Sequence, residues 1–213
     1  AGVLQIEGNH VADGFEGLFF NDIPFQLSTA PFAGYEFSHW EAQSQYAETE
    51  EIFGTGSVWH YNDQGLNLGS AWFELDYDDS GWAFGPGQIG YGDGDEATQV
   101  GYGGNSNNKH ITTYFRRDFQ IPQDQTFESL SISLLVDDGG IAYLNGNEVG
   151  RVNMPSGDVN YLTTASGTID NENAYHHFSI PPDWLTTGEN VWAVEIHQAN
   201  SNSSDISFDC SMT

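Results

Sequence analysis

SLSISLLVDDGGIAYLNGNEVGRV, residues 129–152, is the stretch that decides the fold. Leu130, Ile132, Leu134 and Val136 alternate with Ser129, Ser131 and Ser133, the two-residue period of a strand with one buried and one wet face. Past Asp137, Asp138, Gly139 and Gly140 the chain runs apolar again from Ile141 to Leu144, meets Asn145-Gly146, and returns through Glu148 to Val152. Asn-Gly supplies the positive φ angles of a two-residue hairpin, so two more strands are predicted around it. Further out, Val191–His197 and Ile206–Met212 form another strand pair across a Ser/Asn-rich loop, Ala199 to Ser204. No segment carries a convincing amphipathic helical period, so the expectation is an all-β chain.

At 213 residues there is room for one sandwich and a smaller unit. Aromatic residues make up 14% of the chain against 38% hydrophobic in total, so much of the burial falls to Phe, Tyr and Trp, which suit strands and sugar-binding surfaces alike. Only Lys109, Arg116, Arg117 and Arg151 oppose 31 acidic residues, a formal net charge of −27. Such a surface repels phosphate backbones, which excludes nucleic acid as a partner. It repels anionic polysaccharide too, unless bound cations or the few basic residues gather at the site. With one cysteine there is no disulfide within the chain and no cysteine-based zinc site. Cys210 alternates with Ile206, Phe208 and Met212 and reads as core filler. No stretch is long and apolar enough to span a membrane, and the opening AGVLQIEGNH is no signal peptide. The expectation is a monomeric piece of a larger secreted or cell-surface protein whose export signal lies elsewhere.

Two kinds of site are expected. Calcium takes about six to eight oxygens, so carboxylates on turns are its candidates. Asp93, Asp95 and Glu96 share the Gly-rich turn that starts at Gly92, either as a metal site or as a solvated acidic loop. Asp209 sits mid-strand as a further metal candidate, or as an exposed strand charge. Asp76, Asp78 and Ser80 copy the front of an EF-hand loop, but its twelfth position is Gly87, so a plain turn is the preferred reading. Asp137 and Asp138 end a core strand before two glycines, placed for a cation, a sugar hydroxyl or simply a tight turn.

Sugars need flat aromatic faces with amides, carboxylates or guanidinium groups for the hydroxyls. Tyr91, Tyr102, Asn105, Asn107, Asn108, Lys109, His110 and Tyr114 crowd one segment, and three of the four cations lie in it or beside it. Lys109 and Arg116 are expected where an anionic ligand would be accepted, whereas Arg117 shares a face with Phe115 and Phe119 and reads as structural. Glu195 and His197 share one strand face, as an acid/base pair or, preferably, a hydrogen-bonded pair at a core rim; His197 also borders the loop expected to carry ligand contacts.

Two resemblances organise these readings. Residues 17–40, GLFFNDIPFQLSTAPFAGYEFSHW, resemble a small β repeat of bacterial surface and secreted proteins, with Gly34, Tyr35, Phe37 and Trp40 as the motif; this implies a spacer or packing unit over residues 1–54. From Ser57 on, SVWHYNDQGLNLGSAWFELDYDDSGW, GQIGYGDGDEATQVGYG, TYFRRDF, LLVDDGGIAYLNGNEV, NVWAVEIHQ and SSDISFDCSMT follow in the order of a galactose-binding-like jelly-roll module. Over residues 55–213 that resemblance implies two packed antiparallel sheets, often a structural calcium, and ligand loops at one end. The leading functional expectation is a non-catalytic carbohydrate-binding module that tethers an attached enzyme to a polysaccharide or oligosaccharide. A structural or adhesive spacer is the alternative. A jelly-roll lyase or glycosidase ranks third, because the sequence marks out no nucleophile motif or positioned acid pair.

Overall fold

The computed structural model describes residues 2–11, 26–34, 36, 38 and 50–213. The chain divides into two compact units, Ala1–Glu48 and Thr49–Thr213. In the first, β1 (Gly2–Ile6), β2 (Asn9–Val11) and β3 (Leu27–Pro31) form an antiparallel sheet in the order β2-β1-β3. Glu7 and Gly8 turn the β1–β2 hairpin with φ of 49° and 77°, the left-handed pair that a two-residue turn needs. Of the repeat-like motif, Gly34 is described, while Tyr35, Phe37 and Trp40 lie outside the described residues.

The second unit is a sandwich of two sheets. Its strands are β4 (Val58–Asn62), β5 (Ala83–Pro86), β6 (Ile89–Tyr91), β7 (Thr98–Gln99), β8 (Thr112–Ile121), β9 (Leu130–Asp137), β10 (Gly139–Leu144), β11 (Asn147–Val152), β12 (Tyr175–Ile180), β13 (Gly188–His197) and β14 (Ile206–Met212). Six pair in the order β11-β10-β13-β8-β4-β5 and five in the order β12-β9-β14-β6-β7. No α-helix occurs among the described residues; two 3-10 turns, Ala71–Phe73 and Pro182–Trp184, are the helical elements found. The predicted hairpin is β10–β11, with Asn145 and Gly146 at φ 48° and 82°.

The strand before that hairpin belongs to the other sheet. β9 ends at Asp137 in the five-stranded sheet and β10 starts at Gly139 in the six-stranded one, so Asp137-Asp138 is a corner where the chain changes sheets, not a tight turn. Gly140 packs against Val136, Ile196 and the Glu195 carbonyl, so a side chain at that corner would have to push them back by a few tenths of an ångström.

Between the sheets lies an aromatic core. Phe115 stacks on Phe208 at 4.1 Å, Trp59 meets Phe208 edge-on at 4.9 Å, and Trp192, Val194, Ile196, Leu134, Val136 and Cys210 fill the space around them. A second core covers the outer face of the six-stranded sheet. Tyr114, Ile141, Tyr143 and Ala193 on that face pack under Trp72, Phe73, Tyr77, Trp82, Met154, Val159 and Tyr161 from two crossing segments, so the sheet is buried on both sides.

Arg116 fastens the first of these segments. It is almost fully buried: Nε donates to Asp79 Oδ2 at 2.8 Å, Nη1 to the Trp72 and Glu74 carbonyls at 2.5 and 2.9 Å, and Nη2 to the Tyr77 carbonyl at 3.4 Å. The sequence placed Arg116 at an anionic ligand; the structure turns it inward, because its strand face is the covered one. Removing it strands a buried carboxylate and three carbonyls, so Arg116→Ala is expected to cost about 3–5 kcal/mol of unfolding free energy in urea titrations. Arg151→Ala, which breaks a partly exposed pair with Glu148 and two bonds to the Pro155 and Gly157 carbonyls, is expected to cost less, about 1–2 kcal/mol. Equal losses would contradict this account.

Candidate functional site

On the outer face of the six-stranded sheet, alternation brings Tyr114 of β8, Tyr143 of β10 and Glu195 of β13 to the same side. The two covering segments meet incompletely above them and leave a pouch of about 360 Å³. Trp72 and Phe73 form one wall and Tyr161 and Asn160 another, with Arg151, Glu148 and Asp158 at the rim. Phe73 stacks on Tyr143 at 4.3 Å, and Trp72 tilts onto Tyr114 at 4.7 Å, so the aromatic lining is held rigidly.

The polar groups of the floor are also fixed. Tyr143 Oη donates to Glu195 Oε1 at 2.7 Å, and Glu195 Oε2 lies 3.1 Å from His197 Nε2. Burial beside Glu195 pushes the hydroxyls of Tyr114 and Tyr143 above the usual phenol range, which keeps both as neutral donors. His197, expected at the ligand loops, is completely buried: its Nδ1 reaches the Thr163 carbonyl at 2.7 Å and Thr112 Oγ1 at 2.9 Å. It therefore holds the covering segment to the sheet instead of facing a ligand.

A larger recess of about 510 Å³ lies between β11 and β12, lined by Val152, Ile169, Phe178, His176 and His177 among others. Its single benzenoid ring, Phe178, fits sugar recognition less well than the five aromatic side chains and convergent polar groups of the pouch.

The sequence-predicted ligand segment forms a clamp. Tyr91 is buried, with its hydroxyl accepting from Gln198 Nε2 at 2.9 Å, and Tyr102, partly exposed, meets it edge-on at 5.1 Å. Lys109 Nζ lies 4.9 and 5.2 Å from the two ring centroids and donates to the carbonyls of Ser203 and Ser204. Its charge is thus spent on the 199–204 loop and not offered to an anionic sugar. His110 Nδ1 lies 2.7 Å from the Asp63 carbonyl, and its ring fills the space beside Gly65, whose φ of 64° and lack of Cβ the contact requires. Asn105 accepts from the backbone of Asn107 and Asn108, which leaves the side chain of Asn108 exposed.

The predicted metal ligands separate into two places. Asp209 is half enclosed by donors: Gly56 N at 3.1 Å to both oxygens, Cys210 N at 2.8 Å and Tyr175 Oη at 3.3 Å. It ties β14 to the segment before β4 and has no free oxygen pair for a metal. Glu96 caps its own turn, accepting from Asp93 N and Gly94 N at 2.9 and 3.1 Å. Asp93, Asp95 and Glu96 come together as the sequence placed them, with carboxylate oxygens within 4.8 Å of one another, and Asp93 forms a second such group with Glu172 and Asp205, two acids that sequence reasoning left out of the metal set.

At the β9–β10 corner, Asp138 Oδ2 accepts from Ala199 N at 2.7 Å and Ser203 Oγ at 3.1 Å. Neither carboxylate oxygen of buried Asp137 meets a hydrogen-bond donor. Burial, then the charges of Asp138, Asp205 and Glu172, push its carboxyl up to about 8.

No protein-family model matches the chain, and no curated protein matches it. Among solved structures it is similar to a β-glycosidase from Bacteroides vulgatus at 14% identity and a TM-score of 0.49, covering 78% of this chain and 20% of that one. It is similar to β-glucuronidase 2 of Bacteroides uniformis at 19% identity and a TM-score of 0.49, covering 74% and 17%. A Ruminococcus gnavus β-glucuronidase follows at 12% identity and a TM-score of 0.46, covering 75% and 23%. The chain spans at most about a quarter of the length of these enzymes.

Because Lys109 serves as a clamp, Lys109→Ala is expected to speed amide exchange across residues 199–205 by on the order of tenfold, the equivalent of ~1.4 kcal/mol of local opening. Unchanged exchange there, in a folded variant, would show that the clamp contributes nothing.

Proposed function

We propose that this chain is a non-catalytic carbohydrate-binding module, carried in a secreted or cell-surface protein, where it tethers an attached enzyme to a glycan. The observation that supports this reading is the pouch on the six-stranded sheet: rigid aromatic rings and neutral hydroxyls converge on about 360 Å³, at the small end of ligand pockets. Ring faces suit the C–H surfaces of a pyranose, and Tyr114, Tyr143, Asn67, Asn160 and Arg151 suit its hydroxyls. A pouch this small fits the end of a glycan, not the middle of a long chain.

Its charge selects the ligand class. Glu148, Asp158 and Glu195 outnumber Arg151, which Glu148 already engages at 2.6 and 2.8 Å. A neutral or basic sugar is therefore favoured over a uronate or sulfated one. Hydrolysis is disfavoured for a related reason. A glycosidase needs an acid pair free to act on the glycosidic bond, whereas Glu195 is committed to Tyr143 and faces His197, and Glu148 is committed to Arg151.

A screen of neutral, amino and anionic glycans against the purified chain tests the proposal. A saturable neutral or amino-sugar hit is expected, weakened about tenfold or more (~1.4 kcal/mol) by Tyr161→Ala with melting unchanged, and left intact by Tyr102→Ala. Silence across the panel from folded protein would favour the spacer reading. A hit indifferent to Tyr161→Ala would move the ligand away from the pouch.

A further inference from the structure

An open sandwich leaves strand edges, and each edge is a row of backbone donors and acceptors available to another chain. In the second unit the edge strands are β11 and β5 of one sheet and β12 and β7 of the other. Three of them are blunted. β7 has two residues, and β5 has four and ends in Pro86. β11 carries Glu148 and Arg151 and pairs irregularly, with Val149 left over between the partners of Ala142 and Tyr143. β12 has none of these protections. Tyr175-His176-His177-Phe178-Ser179-Ile180 pairs with β9 in unbroken register over six residues and contains no proline, carboxylate, lysine or arginine. Among the described residues, no backbone hydrogen bond from a segment outside its own sheet reaches β12.

Beside that edge lies the recess of about 510 Å³. His176, Phe178 and Ile180 alternate on the face of β12 turned to the six-stranded sheet, where the Phe178 ring lies so close to Gly150 of β11 that a Cβ there would meet it at 2.5 Å. Val152 and Ile169 extend the apolar lining, and exposed Thr168 marks the rim. His176 Nε2 is buried with no hydrogen-bond partner, a polar atom that an incoming group would satisfy. Charge sets the recess apart as well. Glu148, Asp158 and Glu195 line the pouch, and Asp79 and Asp118 line a smaller recess beside Val58, whereas no acid lines this one. The acids stand at the two ends of the edge instead, with Asp170 and Glu172 before β12 and Asp183 after it.

We propose that β12 is a docking edge for an extended segment of another polypeptide, which adds a strand to the five-stranded sheet. Backbone pairing along β12 supplies the attachment, and pockets for alternate side chains supply the selectivity. Every second side chain of the added strand faces the six-stranded sheet and enters the recess, where Val152, Ile169 and Phe178 favour an apolar group and His176 Nε2 meets a polar one. Lysine or arginine at the ends of the segment matches Asp170, Glu172 and Asp183. A second copy of this chain fits less well, because it brings a net charge of −27 against another of −27. The docking edge lies apart from the pouch floor and stands without the glycan reading.

The test uses capped synthetic peptides in which valine, leucine or phenylalanine alternates with threonine between terminal lysines. They are titrated calorimetrically against the purified chain while amide exchange is followed along residues 175–180. Saturable binding of at least one peptide is expected, with exchange slowed across β12. N-methylation of that peptide's backbone amides should abolish binding, and terminal glutamates in place of the lysines should weaken it about tenfold or more. Thr168→Trp, which sets a large ring at the exposed rim of the recess, should weaken it about as much with melting unchanged. Phe84→Ala, at an exposed ring on the β5 edge, should leave it intact. Silence across the peptides, equal binding of the N-methylated form, or full binding by Thr168→Trp would overturn the docking edge. Equal binding of the glutamate-ended form would overturn the choice of a basic segment. Protection of β12 that grows with protein concentration in the absence of peptide would assign the edge to a second copy and overturn the peptide occupant.

Discussion

The second layer of this domain hangs on one buried guanidinium. Arg116 projects from the outward face of β8, in a chain with four basic residues, and spends its donors on a single stretch between Trp72 and Asp79. Taking a guanidinium out of water is expensive, and a lone carboxylate partner does not always offset it. Here the planar fork also satisfies backbone carbonyls that the irregular stretch leaves without strand or helix partners, a geometry that a lysine ammonium does not reproduce. With this stretch held down, Trp72 and Phe73 seal half of the sheet's outer face. The unsealed remainder is the pouch.

The opposite kind of organisation rules the end of the sandwich. The aromatic core stops at the corner where β9 hands over to β10, and beyond it polar side chains fix the loops: Asp138 holds Ala199 and Ser203, Lys109 holds Ser203 and Ser204, and Gln198 holds Asp205. Hydrogen bonds of this sort position a loop without neutralising it. The charges of Asp138, Asp205 and Glu172 therefore remain around Asp137 and add to its burial in raising its carboxyl.

Much of the fold was readable because strand periodicity and hairpin chemistry are local. Leu130 to Val136 and the Asn145-Gly146 turn need no tertiary information, and the structure has β9, β10 and β11 there. The second core left a fainter trace: Val191 to Ile196 is apolar on both faces apart from Glu195, as a strand covered on both sides should be. What covers it was not legible, because Trp72 and Tyr161 lie in segments with no regular period and reach the sheet through long-range packing. Arg116 was misread for the same reason. As a rare cation beside tyrosines it looked like a ligand contact, whereas its environment is set by Asp79, 37 residues away. Glu172 carries no local signal among 31 acids; the register of β12 and β14 on β9 is what brings it and Asp205 to the end of that strand.

Pouch and loop end nevertheless share a strand. The last residues of β13 put Glu195 in the pouch floor and His197 against the Thr163 carbonyl of the covering segment, and the next residue, Gln198, lies on Asp205. Gln198 N also donates to the Ile111 carbonyl, just before β8, and the Gln198 carbonyl accepts from Ala165 N. The floor of the pouch is thus anchored from the loop end by short, buried polar contacts, not by the hydrophobic core alone. Such contacts are strong in a low-dielectric setting and costly when one member is lost. On the proposed reading, recognition through a few fixed hydroxyls and one carboxylate depends on that rigidity, since loose polar groups return in ordering entropy what they gain in contact. In this chain the aromatic surfaces supply the pouch's shape, and the polar ladder along the end of β13 supplies its constancy.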